Sequence, residues 1–197
     1  MLKKIRDVIH SVLAKPEYQK VRYIFLFLLI TFMIHFAWRF WERQIFYFPI
    51  GDWMTSAAQH TTVILFHQTS WILDHIFHIH FRSDQPVIWF DNTWGLSVNE
   101  SCSGFKQIAQ FMLLILFFPG SWKNKTWFIP AGMIVIYLTN LFRLTTVSLV
   151  LNYHPNYAHV THNYVLRSLF YVVIFILWLL WINKFGGKKE AEVQNPA

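Results

Sequence analysis

The fold of this chain is decided by one stretch, residues 127–153, which reads WFIPAGMIVIYLTNLFRLTTVSLVLNY. As a helix this stretch would be about 40 Å long, whereas the hydrocarbon core of a bilayer is about 30 Å thick. It therefore predicts a membrane-spanning helix that tilts or extends beyond the bilayer. Arg143 lies deep inside it. Because a charge in hydrocarbon is costly, we interpret Arg143 as functional rather than as an anchor that snorkels to the interface.

Three further apolar runs of nearly span length lie on either side: Tyr23–Trp41, Gly104–Phe118 and Asn163–Ile182. The chain is 55% hydrophobic and only 14% charged, which is typical of an integral membrane protein. We therefore predict an all-α membrane protein, a bundle of about four transmembrane helices in a single domain, residues 1–197. The first run has no small-residue cleavage site, so we expect a retained anchor.

The placement of charge predicts the orientation of these spans. Although the net charge is +7, no basic stripe is interleaved with aromatic residues, so nucleic acid is not an expected partner. Basic residues instead flank the spans in residues 1–22, the loop Pro119–Thr126 and the tail after Ile182. The positive-inside rule predicts that these three segments are cytoplasmic, in a multi-pass protein of the cytoplasmic (inner) membrane with both termini inside. Residues 42–103 hold six acidic and two basic residues, and we expect them to be extracytoplasmic.

Within that outer segment, residues 52–81 are apolar but interrupted by polar residues and histidines. We favour an amphipathic helix on the outer leaflet, and the alternative is a further crossing that would put the basic N-terminus outside. Residues 86–98 contain two β-prone runs around Asp91-Asn92, which predicts a short β-hairpin. The polar residues 190–197 are expected to be a disordered tail.

Three chemically distinctive residues are predicted to reach one level of the membrane. Cys102, the chain's single cysteine, lies at the outer start of the second span. Arg143 would be about 24 Å above Trp127 at helical rise, near the same outer boundary. His162 immediately precedes the fourth span. This convergence predicts an active site at the extracytoplasmic face.

The chemistry of these residue types fits a thiol enzyme. A cysteine at a helix N-terminus near cations has a lowered pKa, and Lys106 lies one turn further along the helix. Histidine can take the thiol proton, and the donors of Arg143 can stabilise an oxyanion. Asn140 precedes Arg143 by three residues, shares its helix face, and is a candidate to orient it or to bind substrate.

Plainer interpretations exist for each residue. A free cysteine in an apolar protein is often a small buried hydrophobe. His154 and His159 lie in the same outer loop as His162 and are alternative candidates for the base. Glu100 either orients the site or faces water.

The motifs that carry these residues resemble those of the exosortase/archaeosortase family of membrane cysteine transpeptidases. Glu100-Ser101-Cys102-Ser103-Gly104 is similar to the family's E-a-C-S-G block, with serine in place of the usual alanine. Asn140-Leu141-Phe142-Arg143 matches its N-x-x-R block. His162–Phe170 is similar to its H-x-x-x-G-x-x-x-F block, with Leu166 at the usual small residue.

This resemblance implies a short, near-minimal member that acts on exported proteins bearing a C-terminal sorting signal with an apolar span and a basic tail. Cys102 would form a thioester acyl-enzyme and pass the acyl group to an acceptor, with His162 moving protons and Arg143 stabilising the oxyanion. No metal or organic cofactor is implied. The residues expected to bind substrate or support the site are Glu100, Ser103, Gly104, Lys106 and Asn140.

Two other functions compete with this interpretation. The first is a metal- or haem-binding membrane protein that uses the imidazoles of His75, His78 and His80. The second is a non-enzymatic membrane scaffold in which the buried polar groups only join helices. The scaffold predicts that Cys102→Ala leaves function intact, whereas the enzyme requires its loss.

Overall fold

A computed structural model describes residues 16–44, 51–91 and 95–186. The predicted tail, residues 190–197, lies outside the described residues. The chain divides into two compact units, residues 1–43 and 44–197. In the first unit the described part is a single helix, α1 (Pro16–Gln44). Many of its large apolar side chains are exposed, among them Phe25, Phe32 and Met33, as expected of a helix surface that faces lipid.

The second unit begins with α2 (Gly51–His75), which is a two-faced helix. Asp52 lies in its first turn, where a carboxylate complements the helix dipole. Leu65 and Leu73 are fully buried, whereas Trp71 is 55% exposed. The helix ends before the predicted boundary at residue 81.

A small antiparallel sheet follows, formed by β1 (Arg82–Asp84), β2 (Val87–Trp89) and β3 (Leu96–Ser97) in the order β1-β2-β3. Strands β2 and β3 pair with Val87 opposite Ser97, whereas no sequence pattern predicted β1. Residues 92–94, between β2 and β3, lie outside the described residues. The sheet delivers the chain to a 3₁₀ turn, Glu100–Cys102.

Long helices make up the rest of the second unit. They are α3 (Phe105–Phe117), α4 (Trp122–Tyr153), the short α5 (Pro155–Val160) and α6 (Leu166–Trp181). Two π-helical segments, Thr161–Val165 and Ile182–Gly186, lie at the two ends of α6. Helix α4 therefore starts five residues before the predicted Trp127.

Three described helices are long and apolar enough to cross a membrane, and their segments are Tyr23–Phe40, Trp122–Tyr153 and Leu166–Phe185. Helix α3 is apolar but only about 20 Å long at helical rise, shorter than a bilayer core. The all-α membrane architecture predicted from the sequence is confirmed.

Helix α4 is central to the second unit, packing on α2, α3, α5 and α6. Gly132 of α4 allows close contact with α3, because a Cβ at that position would lie 2.2 Å from the Phe111 ring. At one end of the bundle the Trp181 indole donates to the carbonyl oxygen of Pro119 at 3.0 Å. The opposite end of the bundle carries Cys102.

Candidate active site

Cys102 is held by local hydrogen bonds in the 3₁₀ turn that precedes α3. The Asn99 carboxamide oxygen accepts from the backbone N–H of Ser101 at 3.2 Å and from its hydroxyl at 2.5 Å. The Cys102 amide donates to the Asn99 carbonyl at 2.8 Å. The cysteine is 7% exposed and is a free thiol. Its position at the entrance to α3 is the one the sequence predicted.

The two residues after the cysteine turn the chain into α3. The buried Ser103 hydroxyl accepts from the backbone N–H of Phe105 at 3.2 Å, which satisfies the first N–H of the helix. Gly104 has a φ of +74°, a conformation that a residue with a Cβ rarely adopts. A Cβ on Gly104 would also lie 2.9 Å from the Asn140 side-chain nitrogen. The Ser103-Gly104 pair therefore brings α3 close enough for Asn140 to reach the cysteine.

Asn140 joins α4 to the cysteine turn. Its Nδ2 donates to the Cys102 carbonyl at 2.6 Å, and its side chain is fully buried. Its Oδ1 is also buried, and among the described residues it has no hydrogen-bond partner. A buried acceptor without a partner is costly, so this oxygen keeps hydrogen-bonding capacity that the described residues do not use.

Arg143 lies one turn further along α4 and contacts the histidine motif. Its Nη2 is 2.8 Å from Nε2 of His162, and its guanidinium carbon lies 5.8 Å from the centre of the Phe170 ring. A guanidinium can only donate, so Nε2 accepts, and the imidazole is neutral with its proton on Nδ1. The Arg143 Nε is buried and, within the described part of the chain, has no hydrogen-bond acceptor.

The charges of this site act on each other across the helices. The guanidinium of Arg143 lies within electrostatic range of Cys102 and of Arg167. Arg143 is 7% exposed, so these interactions are screened less than they would be in water.

His162 is the histidine that the structure brings to Arg143. It lies within the π-helical segment before α6, and such wider turns are frequent at functional sites. His154 and His159 are both exposed, and the His154 ring instead contacts Tyr157 edge-on, with 6.4 Å between ring centres.

Glu100 and Lys106 lie at the edge of this group. Lys106 is half-buried in the first turn of α3. Glu100 is exposed, and its carboxylate accepts from the side-chain amide of Gln59 on α2 at 2.7 Å. Sequence reasoning did not find Gln59. Its only signal was the helical spacing of Gln59, Thr62, Val63 and Phe66, which lie on one face of α2.

A cavity of about 490 Å³ lies between this face of α2 and the chain that enters the cysteine turn. Its second wall is formed by residues 85–86 and 98–101, which include Glu100 and Ser101. The Thr62 hydroxyl donates to the Ala58 carbonyl of its own helix at 2.8 Å, and its oxygen lies 3.4 Å from the Asn99 carbonyl on the other wall. The cavity therefore opens beside the residues that directly precede the thiol.

The histidine-rich segment has a different arrangement. His75 ends α2, stacks on Trp71 with 4.9 Å between ring centres, and has its Nδ1 3.2 Å from an Asp74 carboxylate oxygen. Among residues 16–44, 51–91 and 95–186, no three His, Cys, Asp or Glu side chains are grouped so that they could hold a metal ion.

Comparison with known proteins gives one match. A family model described as transmembrane exosortase (Exosortase_EpsH) matches residues 19–180. The matched residues include all three motifs. No curated protein and no solved structure matches the chain.

Proposed function

Because the chain belongs to the transmembrane exosortase family, we propose that it is a membrane cysteine transpeptidase or peptidase. Its substrates are exported proteins that carry a C-terminal sorting signal, formed by a short motif, an apolar span and a basic tail. The apolar span of such a signal lies in the same bilayer as the enzyme, which brings the peptide bond before it to the level of Cys102.

One observation carries this proposal: two side-chain contacts join the three sequence motifs. Asn140 donates to the carbonyl of Cys102, and Arg143 contacts His162. Both contacts involve polar groups of α4 that are costly to bury, and both join α4 to another of the three motifs. A nucleophile, a cation and a base in one place are the groups that acyl transfer requires.

In the acylation step the Cys102 thiol gives its proton to Nε2 of His162. The sulfur then attacks the carbonyl carbon of the scissile peptide bond, and the carbonyl electron pair moves to oxygen. Arg143, which has turned away from His162 to leave Nε2 open for that proton, donates to this oxyanion. When the adduct collapses, the C–N bond breaks, His162 protonates the departing amine, and a thioester remains on Cys102.

In the second step an acceptor nucleophile attacks the thioester carbonyl carbon. The C–S bond breaks, and its electron pair returns to sulfur as the Cys102 thiolate. Arg143 stabilises the oxyanion of this adduct as well. A water acceptor gives hydrolysis, and any other nucleophile gives transpeptidation.

We place this chemistry at the extracytoplasmic face of the cytoplasmic membrane, with both termini inside. The support is the charge distribution, since basic residues flank the opposite ends of the spans. A membrane-impermeant maleimide added to intact spheroplasts is expected to label Cys102, which is the single cysteine. If Cys102 were labelled only after the membrane is permeabilised, Cys102 would lie on the cytoplasmic side and the proposed orientation would be wrong.

The proposed function is tested by replacing Cys102 with alanine and following a sorting-signal protein in cells by immunoblot. We expect the uncleaved form to accumulate, because the nucleophile is lost while a small apolar side chain keeps the packing. His154→Ala is the matched control and should process normally. If the Cys102→Ala protein processed the substrate fully at normal abundance, the catalytic function would be excluded and the non-enzymatic scaffold would be favoured.

A further inference from the structure

The cavity beside Cys102 has a chemistry that the acylation step does not use. Its walls come from the Gln59–Phe66 face of α2 and from the chain at residues 85–86 and 98–101. At about 490 Å³ it is within the usual range for small-molecule sites. Ser101 lines the cavity and directly precedes Cys102, so the cavity reaches the turn that carries the cysteine.

The cavity is anionic. Among the described residues that line it, Glu100 is the one charged side chain, and none is a lysine or an arginine. The side-chain amide of Gln59 donates to one carboxylate oxygen of Glu100 at 2.7 Å, which fixes the carboxylate at the cavity wall. Among the described residues no lysine or arginine pairs with Glu100. A ligand that carries a cation or several hydrogen-bond donors would therefore complete this wall.

Part of the cavity lining is apolar. It includes Val63 and Phe66 of α2 and Pro86 and Val98 of the other wall, so a ligand that fits it has an apolar part as well as a cationic end. A phosphate, as in a lipid headgroup, would find no lining cation and would be repelled by Glu100. The lining of the cavity therefore fits a ligand with a primary amine on a carbon chain and with no phosphate near the amine.

We propose that this cavity binds the amine that accepts the acyl group, with its ammonium on the Glu100 carboxylate. This inference rests on the proposed function, since it concerns the second half of that reaction. The bound ammonium loses one proton to Glu100, which passes it to water. The amine nitrogen attacks the thioester carbon, the C–S bond breaks, and the second nitrogen proton moves to the Cys102 sulfur. The products are an amide and the free thiol.

The single cysteine allows a test that needs no natural substrate. Purified full-length protein is treated with 2-aminoethyl methanethiosulfonate, a primary ammonium, or with the anionic 2-sulfonatoethyl reagent, and modification of Cys102 is followed by intact mass. In Glu100→Gln the rate ratio of cationic to anionic reagent is expected to fall by about fivefold, because the attracting carboxylate is lost. Asp74→Asn removes the same charge from α2 outside the cavity and should leave the ratio unchanged.

Protection experiments identify the kind of amine. Glycinamide is expected to slow modification of Cys102 in the wild type and not in Glu100→Gln, whereas phosphoethanolamine should protect neither protein. An unchanged ratio in Glu100→Gln, no modification by either reagent, absent protection by glycinamide, or equal protection by phosphoethanolamine would each overturn the proposal.

The two proposals fail separately. Normal processing by Cys102→Ala would overturn the catalytic function, whatever the reagent ratio. An unchanged ratio in Glu100→Gln, in a protein whose processing still requires Cys102, would overturn only the acceptor site.

Discussion

Helix α4 carries two buried cations, and they differ in what surrounds them. Lys125, near its start, is 5% exposed, and Arg143, about five turns further on, is 7% exposed. The Lys125 ammonium donates to the backbone carbonyl of Leu116 at 2.8 Å and lies 5.0 Å from the centre of the Trp122 ring. These partners cannot change their protonation state, so Lys125 acts as a brace between α4 and the end of α3.

Arg143 has partners that can react. It contacts a neutral imidazole, lies within electrostatic range of a thiol, and keeps a buried Nε that has no acceptor among the described residues. The comparison teaches that burial alone does not identify a functional charge. The distinguishing features are titratable partners and hydrogen-bonding capacity that the fold leaves unused.

The largest expected effect separates these two cations. Arg143→Ala should lower processing of a sorting-signal protein by about 10³-fold, because the oxyanion loses its charged donor. Lys125→Ala should lower the melting temperature of the purified protein while processing per folded molecule stays within about twofold. The measurements are an immunoblot of substrate cleavage and a thermal unfolding curve. The comparison breaks if Lys125→Ala abolishes processing or if Arg143→Ala only lowers stability.

A second expected effect separates the histidines of the outer loop. His162→Ala should lower processing by about 10²-fold, the usual worth of a positioned acid–base group. His154→Ala and His159→Ala remove exposed imidazoles and should process at the wild-type rate. Cleavage rates at matched enzyme abundance provide the measurement. If His159→Ala were the inactive variant, the base would have to be reassigned.

The smallest expected effect compares two glycines of positive φ at opposite ends of the bundle. Gly104→Ala should lower processing by about tenfold, because its Cβ would lie 2.9 Å from Asn140 Nδ2 and weaken the hydrogen bond to Cys102. Gly120→Ala places its Cβ 2.3 Å from the Trp181 ring, so it should reduce stability without a specific loss of processing. Processing per folded molecule, with the folded fraction taken from unfolding curves, distinguishes the two. Equal losses in both variants would show that Gly104 serves stability alone.

The sequence was sufficient to predict the features that depend on the free energy of placing a short segment or a single residue in the membrane. Apolar runs of span length predicted α1, α4 and α6, because only a helix satisfies its backbone in lipid. Cys102 and Arg143 were detectable because a lone thiol and an arginine between apolar residues are both unusual. His162 was chosen over its neighbours through its motif, and the structure places it against Arg143.

Other features depend on contacts between distant segments and had no comparable signal. The Gln59–Glu100 hydrogen bond and the cavity beside it arise where α2 meets the cysteine turn. The close approach of Gly104 to Asn140 is equally non-local, although the glycine itself was visible in the motif. Hydropathy describes how each helix meets lipid and carries little information on which polar groups of two helices meet each other.

The central claim is that Cys102 carries the acyl group during the reaction. Its most direct test is to express the enzyme with a sorting-signal protein, quench with acid, and analyse the enzyme peptide containing Cys102 by mass spectrometry. We predict an adduct on Cys102 that matches the substrate up to its cleavage site, that hydroxylamine removes, and that is absent from Arg143→Ala. Continued cleavage with no adduct on Cys102, together with an active Cys102→Ala protein, would contradict the account.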